Sequence, residues 1–221
     1  MSFLEVLNAK GWYFLGRLLE GLPWTVASFV CSLAFALVFG LFVALLRLSP
    51  WRLLRIPAVT YIEFFRGTPA LVQVFVIYFG LPDIGFQPSP FQAAVVGLGL
   101  NGAAYLSEIY RAGIEAIHRG QMEASLSLGM TPARAMRYIV LPQAIRTMLP
   151  PMTNFAIVLL KDTAIIFAVG VSELMSNARE LVTETLQSAV VYVMVGVIYL
   201  CMTIPMARIA ARLERSKQAW Q

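Results

Sequence analysis

The stretch from Pro23 to Leu46 reads PWTVASFVCSLAFALVFGLFVALL and contains no charged residue. It exceeds the roughly 20 apolar residues that a helix needs to cross the hydrocarbon core of a bilayer, and Arg47 ends it. The composition of the whole chain supports a location in the membrane, because 59% of its 221 residues are hydrophobic and only 13% are charged. Soluble domains carry about 25% charged residues. The sequence therefore predicts an all-α integral membrane protein.

Further apolar stretches predict four more membrane spans. They run over residues 58–81, 91–110, 152–171 and 189–207. A basic loop over 47–55, followed by Pro57, is expected to separate the first two spans, and polar loops are expected over 82–90 and 172–187. The chain is thus predicted to cross the membrane five times.

Basic residues are distributed unevenly between the two sides of such a protein. With the C-terminus inside, the inner segments hold Lys or Arg at positions 47, 52, 55, 111, 119, 134, 137, 146, 208, 212, 215 and 217. The outer segments hold them only at 10, 17 and 179. Because short cytoplasmic loops are enriched in Lys and Arg, we expect the N-terminus outside and the C-terminus inside. The net charge of +5 then sets topology and gives no reason to expect nucleic-acid binding.

The longest polar segment, residues 111–149, is expected to face the cytoplasm. Residues 121–128 predict a short amphipathic helix, and Gly129 fits the left-handed position that follows a helix end. Thr131-Pro132 fits the N-cap and first residue of a second helix, and Pro142 is expected to end it. The segment is thus predicted to form two short helices joined at a bend.

The spacing Glu123-Ala124-Ser125…Gly129…Ile139-Val140-Leu141-Pro142 resembles the EAA loop of ABC importer permeases, with Ser125 where the family usually has Ala. Other stretches resemble the polar amino-acid branch of these permeases, which includes histidine, glutamine, glutamate, arginine and cystine permeases. They are Phe65-Arg66-Gly67-Thr68-Pro69, Ala104-Tyr105-Leu106-Ser107-Glu108, Arg111-Ala112-Gly113-Ile114, Arg119-Gly120-Gln121, Leu141-Pro142-Gln143-Ala144 and Leu160-Lys161-Asp162-Thr163.

This resemblance implies one permease domain over residues 1–221 in the bacterial inner membrane, with five spans and a coupling loop over 111–149. It implies that a second permease subunit, identical or homologous, two ATP-binding subunits and a solute-binding protein complete the importer. The chain would then be no enzyme and hold no cofactor, since the partner ATPase binds ATP and Mg. The residues expected to couple to that ATPase are Glu123, Ala124, Gly129, Met130 and Thr131.

Ionisable residues within the predicted spans are the candidates for solute binding. A charge at the bilayer centre costs on the order of 2.5–3.5 kcal/mol, so Lys161 and Asp162 each need a partner, for which Arg66 and Glu108 are candidates. The alternatives are an interhelical salt-bridge network that fixes packing, or a site for a zwitterion, whose carboxylate and ammonium need opposite charges. The residues expected along the solute path are Arg66, Thr68, Asn101, Glu108, Lys161, Asp162 and Thr163.

Two local features bear on that choice. Gly67 and Pro69 predict a broken helix, which at membrane depth is tolerated where it lines a cavity; a simple proline kink is the alternative. Asn101 is either a packing residue or part of the same cavity wall. Small residues around it are expected to let helices pack closely. They are Ala93, Gly97, Gly99, Gly102, Ala103 and Ala104.

Other functions find less support in the sequence. The chain lacks a G-x-x-x-x-G-K-[ST] phosphate loop and the H-E-x-x-H and G-x-S-x-G motifs, which argues against an ATPase, protease or esterase. His118 is expected to be a solvated loop residue, and Cys31 and Cys201 are expected to be buried apolar residues rather than metal ligands. A stand-alone proton-coupled secondary transporter remains the main rival, although no internal repeat supports it.

Overall fold

The computed structural model describes residues 3–218, which are helical apart from short connections. The all-α prediction is therefore confirmed for this part of the chain, while residues 1–2 and 219–221 of the predicted domain and the Lys217 side chain lie outside the described residues. The helices are α1 (Phe3–Leu19), α2 (Leu22–Leu48), α3 (Arg52–Gly67), α4 (Ala70–Phe75), α5 (Pro90–Glu115), α6 (Arg119–Ser127), α7 (Pro132–Ala135), α8 (Leu141–Asp162), α9 (Leu174–Thr185) and α10 (Ser188–Gln218). Two π-helical turns, Val76–Gly80 and Met136–Val140, and two 3₁₀ segments, Leu81–Ile84 and Thr163–Val169, continue α4, α7 and α8.

Within the described residues, three helical stretches are long and apolar enough to cross a membrane. They are Phe3–Leu48, Pro132–Val169 and Ser188–Arg215. A fourth candidate is the pair Arg52–Gly67 and Ala70–Ile84, which is bent by 107° at its break. The structure thus has three to four candidate spans by this criterion, and α5 is the predicted span that does not meet it.

Helix α5 lies in the middle of the bundle, where other helices rather than lipid surround it. Its most extensive contact is with α2, and it also packs against α3, α4 and α8. A Cβ atom added to Gly97 would lie 2.7 Å from Val74 Cγ2, and one added to Gly99 would lie 2.6 Å from Phe35 Cδ1. The expected close packing through small residues is confirmed, and it explains why α5 is less apolar than a lipid-facing helix.

Two expectations about loops are wrong. Pro57 lies inside α3, so the connection between α2 and α3 is only residues 49–51 and not 47–55. The carbonyl that Pro57 leaves without a helical donor belongs to Leu53, a residue that is 83% exposed. The predicted loop 172–187 contains helix α9, which buries Leu174, Ala178 and Leu181 against α1 and α10.

The start of α9 meets the α1–α2 turn and α10 in a buried cluster that we call the α9 junction: Gly21, Thr25, Glu173 and Tyr199. The Glu173 carboxylate caps α9 by accepting the backbone N–H groups of Met175 and Ser176, each at 2.8 Å. The Tyr199 hydroxyl donates to the same carboxylate at 3.4 Å. Glu173 is 0% exposed, and this burial raises its pKa to about 7, although the N–H and O–H donors oppose the shift.

The segment that resembles the EAA loop forms the predicted bend. Gly129 has φ = 79°. At the end of α6, the Gly129 N–H donates to the Leu126 carbonyl at 2.9 Å and the Met130 N–H donates to the Ser125 carbonyl at 3.1 Å. The Thr131 hydroxyl accepts a hydrogen bond from the backbone N–H of Arg134, in the next helix, at 3.4 Å. Both capping predictions are therefore confirmed.

The second helix of this segment does not end at Pro142. The π-helical turn Met136–Val140 leads directly into α8, and Pro142 lies in the first turn of α8. A π-helical turn inserts one extra residue and shifts the hydrogen-bond register, which accommodates a proline without an N–H. The bend is therefore joined to the fourth predicted span by one continuous helical stretch, Pro132–Val169.

Candidate solute-binding site

The site is organised around the break between α3 and α4. Thr68 and Pro69 have extended backbone conformations, and the Thr68 hydroxyl donates to the Phe64 carbonyl at 2.8 Å. The chain turns by 107° here, so the interpretation as a broken helix is confirmed and a simple proline kink is not. The break leaves the carbonyls of Phe65 and Thr68 without the helical N–H partners they would otherwise have.

Gln73 satisfies those carbonyls, a role that was not predicted from the sequence. Its Nε2 atom donates to Phe65 O at 2.9 Å, to Thr68 O at 3.0 Å and to Thr68 Oγ1 at 2.7 Å. The side chain is only 6% exposed. The available signal was a lone amide in the otherwise apolar run ALVQVFVIYF that follows Pro69.

Asn101 on α5 completes this network from the other side. Its Nδ2 atom donates to Phe65 O at 2.9 Å and to Gln73 Oε1 at 3.2 Å. Asn101 therefore ties the central helix to the break, and it also lines the cleft beside it. Asn101 thus has both of the roles considered for it, since it packs against the break and also lines the cleft.

A cleft of about 530 Å³ opens at the break. We call it the break cleft; its polar and aromatic lining residues are Arg66, Thr68, Asn101, Tyr105, Phe155 and Asp162. It brings together four of the predicted solute-path residues, from three separate helical segments. Among its lining residues Arg66 is the one cation and Asp162 the one anion, so the cleft presents one charge of each sign.

A second cleft of about 590 Å³ follows the first along α5 and α8. We call it the Glu108 cleft; its lining includes Arg66, Tyr105, Glu108, Arg111, Thr147 and Asn154. Glu108 pairs with Arg111, whose Nη2 lies 2.8 Å from Oε2, and with Arg47, whose Nε lies 3.5 Å from Oε1. Glu108 is thus paired with arginines of α5 and α2, and not with Lys161.

Two predicted site residues line neither cleft. Lys161 is exposed and has no ion pair within 4 Å among the described residues. Thr163 is completely buried, and its hydroxyl donates to the Leu160 carbonyl at 2.7 Å. The structure therefore does not bring these two side chains together with Arg66 and Asp162, and their part in solute binding stays a prediction.

The potential metal-ligating side chains of the described residues are scattered. Between residues 3 and 215, no group of three or more His, Cys, Asp and Glu residues is placed to hold a metal ion. His118 is exposed, as expected, and caps α6 by accepting the Gly120 N–H at 3.1 Å. Cys31 and Cys201 are free and exposed, so the expectation that they are buried is wrong; apolar side chains of a membrane protein face outward because lipid is itself apolar.

The sequence pattern of one protein family, described as binding-protein-dependent transport system inner membrane component, matches residues 36–218. The chain belongs to this family. It is therefore the non-catalytic membrane component of a multi-pass inner-membrane transport system that works with a binding protein and an ATPase.

Several named proteins are similar to this chain over nearly their whole length. The probable amino-acid permease protein YxeN of Bacillus subtilis (strain 168) is 37% identical over 217 residues, which cover 95% of this chain and 97% of YxeN. The glutamine transport system permease protein GlnP of Escherichia coli (strain K12) is 38% identical over 206 residues, covering 92% and 94%.

Solved structures of ABC transporters are also similar to this chain. A chain in the crystal structure of an amino acid ABC transporter with histidines superposes with a TM-score of 0.89 at 36% identity, covering 98% of this chain and 99% of that one. A chain of the inward-facing MetNI methionine ABC transporter has a TM-score of 0.70 at 23% identity and shows the shared fold alone. The rival interpretation as a stand-alone secondary transporter is thereby set aside.

Proposed function

We propose that this chain is the permease of an ATP-driven importer of a polar amino acid, and that the amino acid passes through the break cleft. The observation that carries the proposal is the presence of one cation, Arg66, and one anion, Asp162, in the lining of one cleft beside a broken helix. Arg66 offers a planar guanidinium to the α-carboxylate, and Asp162 offers a carboxylate to the α-ammonium. A polar network around Thr68 and Asn101 stabilises the helix break next to Arg66.

In this proposal the chain crosses the membrane five times, with its N-terminus outside and its C-terminus inside. Helix α5 counts as the third span, because its 26 residues extend about 39 Å at 1.5 Å per residue and neighbouring helices shield it from lipid. The distribution of Lys and Arg supports this orientation. It places the α6–α7 bend in the cytoplasm and the α9 junction outside.

The bend is the proposed contact with the ATPase. Glu123, Ala124, Gly129 and Thr131 are all exposed, and Leu128 at the turn is 84% exposed. A leucine so exposed at a helix end is suited to a groove on a partner. Because the bend continues into α8, which reaches Asp162, a displacement of the bend is transmitted to one wall of the break cleft.

The proposed assembly contains two permease subunits, identical or homologous, two ATP-binding subunits and a solute-binding protein. ATP and Mg are bound by the ATP-binding subunits. The relatives named for glutamine, arginine and cystine transport make these three amino acids the first probes to test.

The substitution Asp162→Asn tests the proposal, because it removes the one anion of the break cleft while keeping its size. The variant and the wild-type importer are reconstituted in proteoliposomes with the binding protein, and ATP-driven uptake of radiolabelled glutamine, arginine and cystine is measured. We expect uptake to fall about tenfold or more with intact complex assembly, since a charged hydrogen bond contributes about 1.5–3 kcal/mol. Asp83→Asn, at an exposed position of the 3₁₀ segment Leu81–Ile84 outside both clefts, is the matched control and keeps normal uptake. Normal uptake by Asp162→Asn in an assembled complex would move Asp162 to a structural role.

A further inference from the structure

Two charged side chains beside the break cleft are unpaired in the described part of the chain. Glu63 on α3 and Lys161 on α8 are both exposed, and neither makes an ion pair within 4 Å among the described residues. Lys161 interacts electrostatically with its neighbour Asp162, but adjacent positions of a helix point about 100° apart. Both charges are therefore available to a partner from outside the chain.

These two side chains share helix faces with residues that line the break cleft. Glu63 precedes Arg66 by three residues and Gly67 by four, and residues at these spacings lie on one face of a helix. Lys161 follows Val158 by three residues. Arg66, Gly67 and Val158 all line the break cleft. Glu63 thus lies at the edge of its α3 wall, and Lys161 lies at the edge of its α8 wall.

The break cleft is open along this edge in a single copy of the chain. Val158 is 46% exposed, Arg66 is exposed, and a Cβ atom added to Gly67 would meet nothing within 4 Å. In the proposed five-span arrangement the opening lies at membrane depth, where a charged side chain is costly in lipid. A protein surface is therefore needed to cover the opening.

A second copy of the chain offers the complementary charges at a similar depth. Arg66 and Asp162 line one cleft; Glu63 precedes Arg66 by about 4.5 Å along α3, and Lys161 precedes Asp162 by about 1.5 Å along α8. Two copies with the same orientation in one bilayer are related by an axis along the membrane normal, and rotation about that axis leaves depth unchanged. In a two-fold interface each contact between two different residues occurs twice.

We infer that Glu63 forms an ion pair with Lys161 of the partner subunit, and that this partner is a second copy of the same chain. The pair occurs twice per dimer and brings each copy over the open edge of the other copy's break cleft. The second copy completes the solute pocket, because it shields Arg66 from lipid. This inference rests on the proposed function, in which the break cleft is the solute pocket and the chain spans the membrane five times.

Reversal of the two charges in separate chains tests the contact. Glu63→Lys places two positive charges together at both contacts, and Lys161→Glu places two negative charges together there, so each variant alone should dimerise poorly. When the two variants are coexpressed, a dimer with one copy of each regains an opposite-charge pair at both contacts. With a different affinity tag on each variant and the complete importer assembled, mixed dimers should exceed same-variant dimers by about tenfold or more.

Two wild-type chains that carry the same two tags are the control, and they should mix statistically. Statistical mixing of Glu63→Lys with Lys161→Glu would overturn the contact between copies. An ion pair within one chain predicts that result, because coexpression cannot repair a like-charge contact inside each variant.

Cysteine crosslinking tests the same contact without reversing a charge. Cys31 and Cys201 are replaced by serine, and Glu63→Cys is combined with Lys161→Cys in the complete importer. Oxidation should yield a covalent dimer on a gel without reductant, and each single variant should yield none. Asn154→Cys replaces Lys161→Cys in the matched control, because Asn154 shares the face of Lys161 but lies seven residues, about 10 Å, nearer the cytoplasm. Absence of the covalent dimer, or a crosslink within one chain identified by peptide mass spectrometry, would overturn the contact.

Uptake by Asp162→Asn separates a failure of this inference from a failure of the proposed function. Loss of uptake in Asp162→Asn without a preference for mixed dimers would retain the solute pocket and refute the contact. Normal uptake in Asp162→Asn with a preference for mixed dimers would retain the contact and refute the pocket.

Discussion

The break between α3 and α4 is predicted to depend on Gln73, and Gln73→Leu tests this directly. Leucine keeps the approximate volume of the side chain but removes its amide, so the Thr68 carbonyl loses its donor and Asn101 loses one acceptor. A buried polar group left unpaired costs about 1–3 kcal/mol, and each lost hydrogen bond contributes about 0.5–1.5 kcal/mol. We therefore expect the folded state to lose about 2–4 kcal/mol of stability.

The assay is the thermal unfolding of the purified permease complex in detergent, together with ATP-driven uptake in proteoliposomes. Gln87→Leu makes the same chemical change at an exposed loop position and is the matched control, with little expected effect. The double variant with Asn101→Leu should be less destabilised than the sum of the single variants by about 0.5–1.5 kcal/mol, because the two side chains share a hydrogen bond. A melting curve and an uptake rate for Gln73→Leu that match those of Gln87→Leu would refute the role of this network.

Two further predictions concern the α9 junction. Gly21→Ala should lower the melting temperature, because the new Cβ would lie 2.6 Å from the backbone carbonyl carbon of Glu173. Overpacking of this kind costs about 1–3 kcal/mol. The control is Gly16→Ala, whose new Cβ would meet nothing within 4 Å, and it should be neutral or slightly stabilising. The second prediction concerns pH. Since the pKa of Glu173 is raised from 4.5 to about 7, the folded protein binds more protons than the unfolded chain between these two pH values. The stability of the folded protein should therefore fall by up to about 3 kcal/mol as the pH rises from 4.5 to about 7. Melting temperatures of wild type and Glu173→Gln from pH 4 to 8 check this, and parallel curves for the two proteins would contradict it.

The features that sequence patterns predicted correctly are governed by local backbone chemistry. Gly129 and Thr131-Pro132 determine the α6–α7 bend through hydrogen bonds between residues no more than five apart. The break at Gly67-Thr68-Pro69 follows in the same way from a residue without an N–H and one without a Cβ. Such features can be inferred from a few consecutive residues.

The features that were missed depend on residues distant in sequence. Gln73 has an obvious role only once Asn101 of α5 lies 3.2 Å away. Helix α9 has too few apolar residues to be recognised as a span, and it is stabilised by packing against α1 and α10. Likewise, the partner of Glu108 on α2 is Arg47, and no local pattern distinguishes it from Lys161.

The charges at membrane depth separate into two groups by what they contact. Glu108 accepts from Arg111 and lies 3.5 Å from Arg47, so its charge is neutralised within the chain and needs no solute. In the part of the chain that the structure describes, Arg66 has a tyrosine ring but no ion pair, and Asp162 has no ion pair within 4 Å. An unpaired charge at this depth is costly, so we propose that the two charges of opposite sign in this cleft bind a partner that carries both signs itself. A zwitterion would meet that requirement with its own backbone groups, and under this proposal the cleft would accept amino acids as a class while their side chains are left to other contacts.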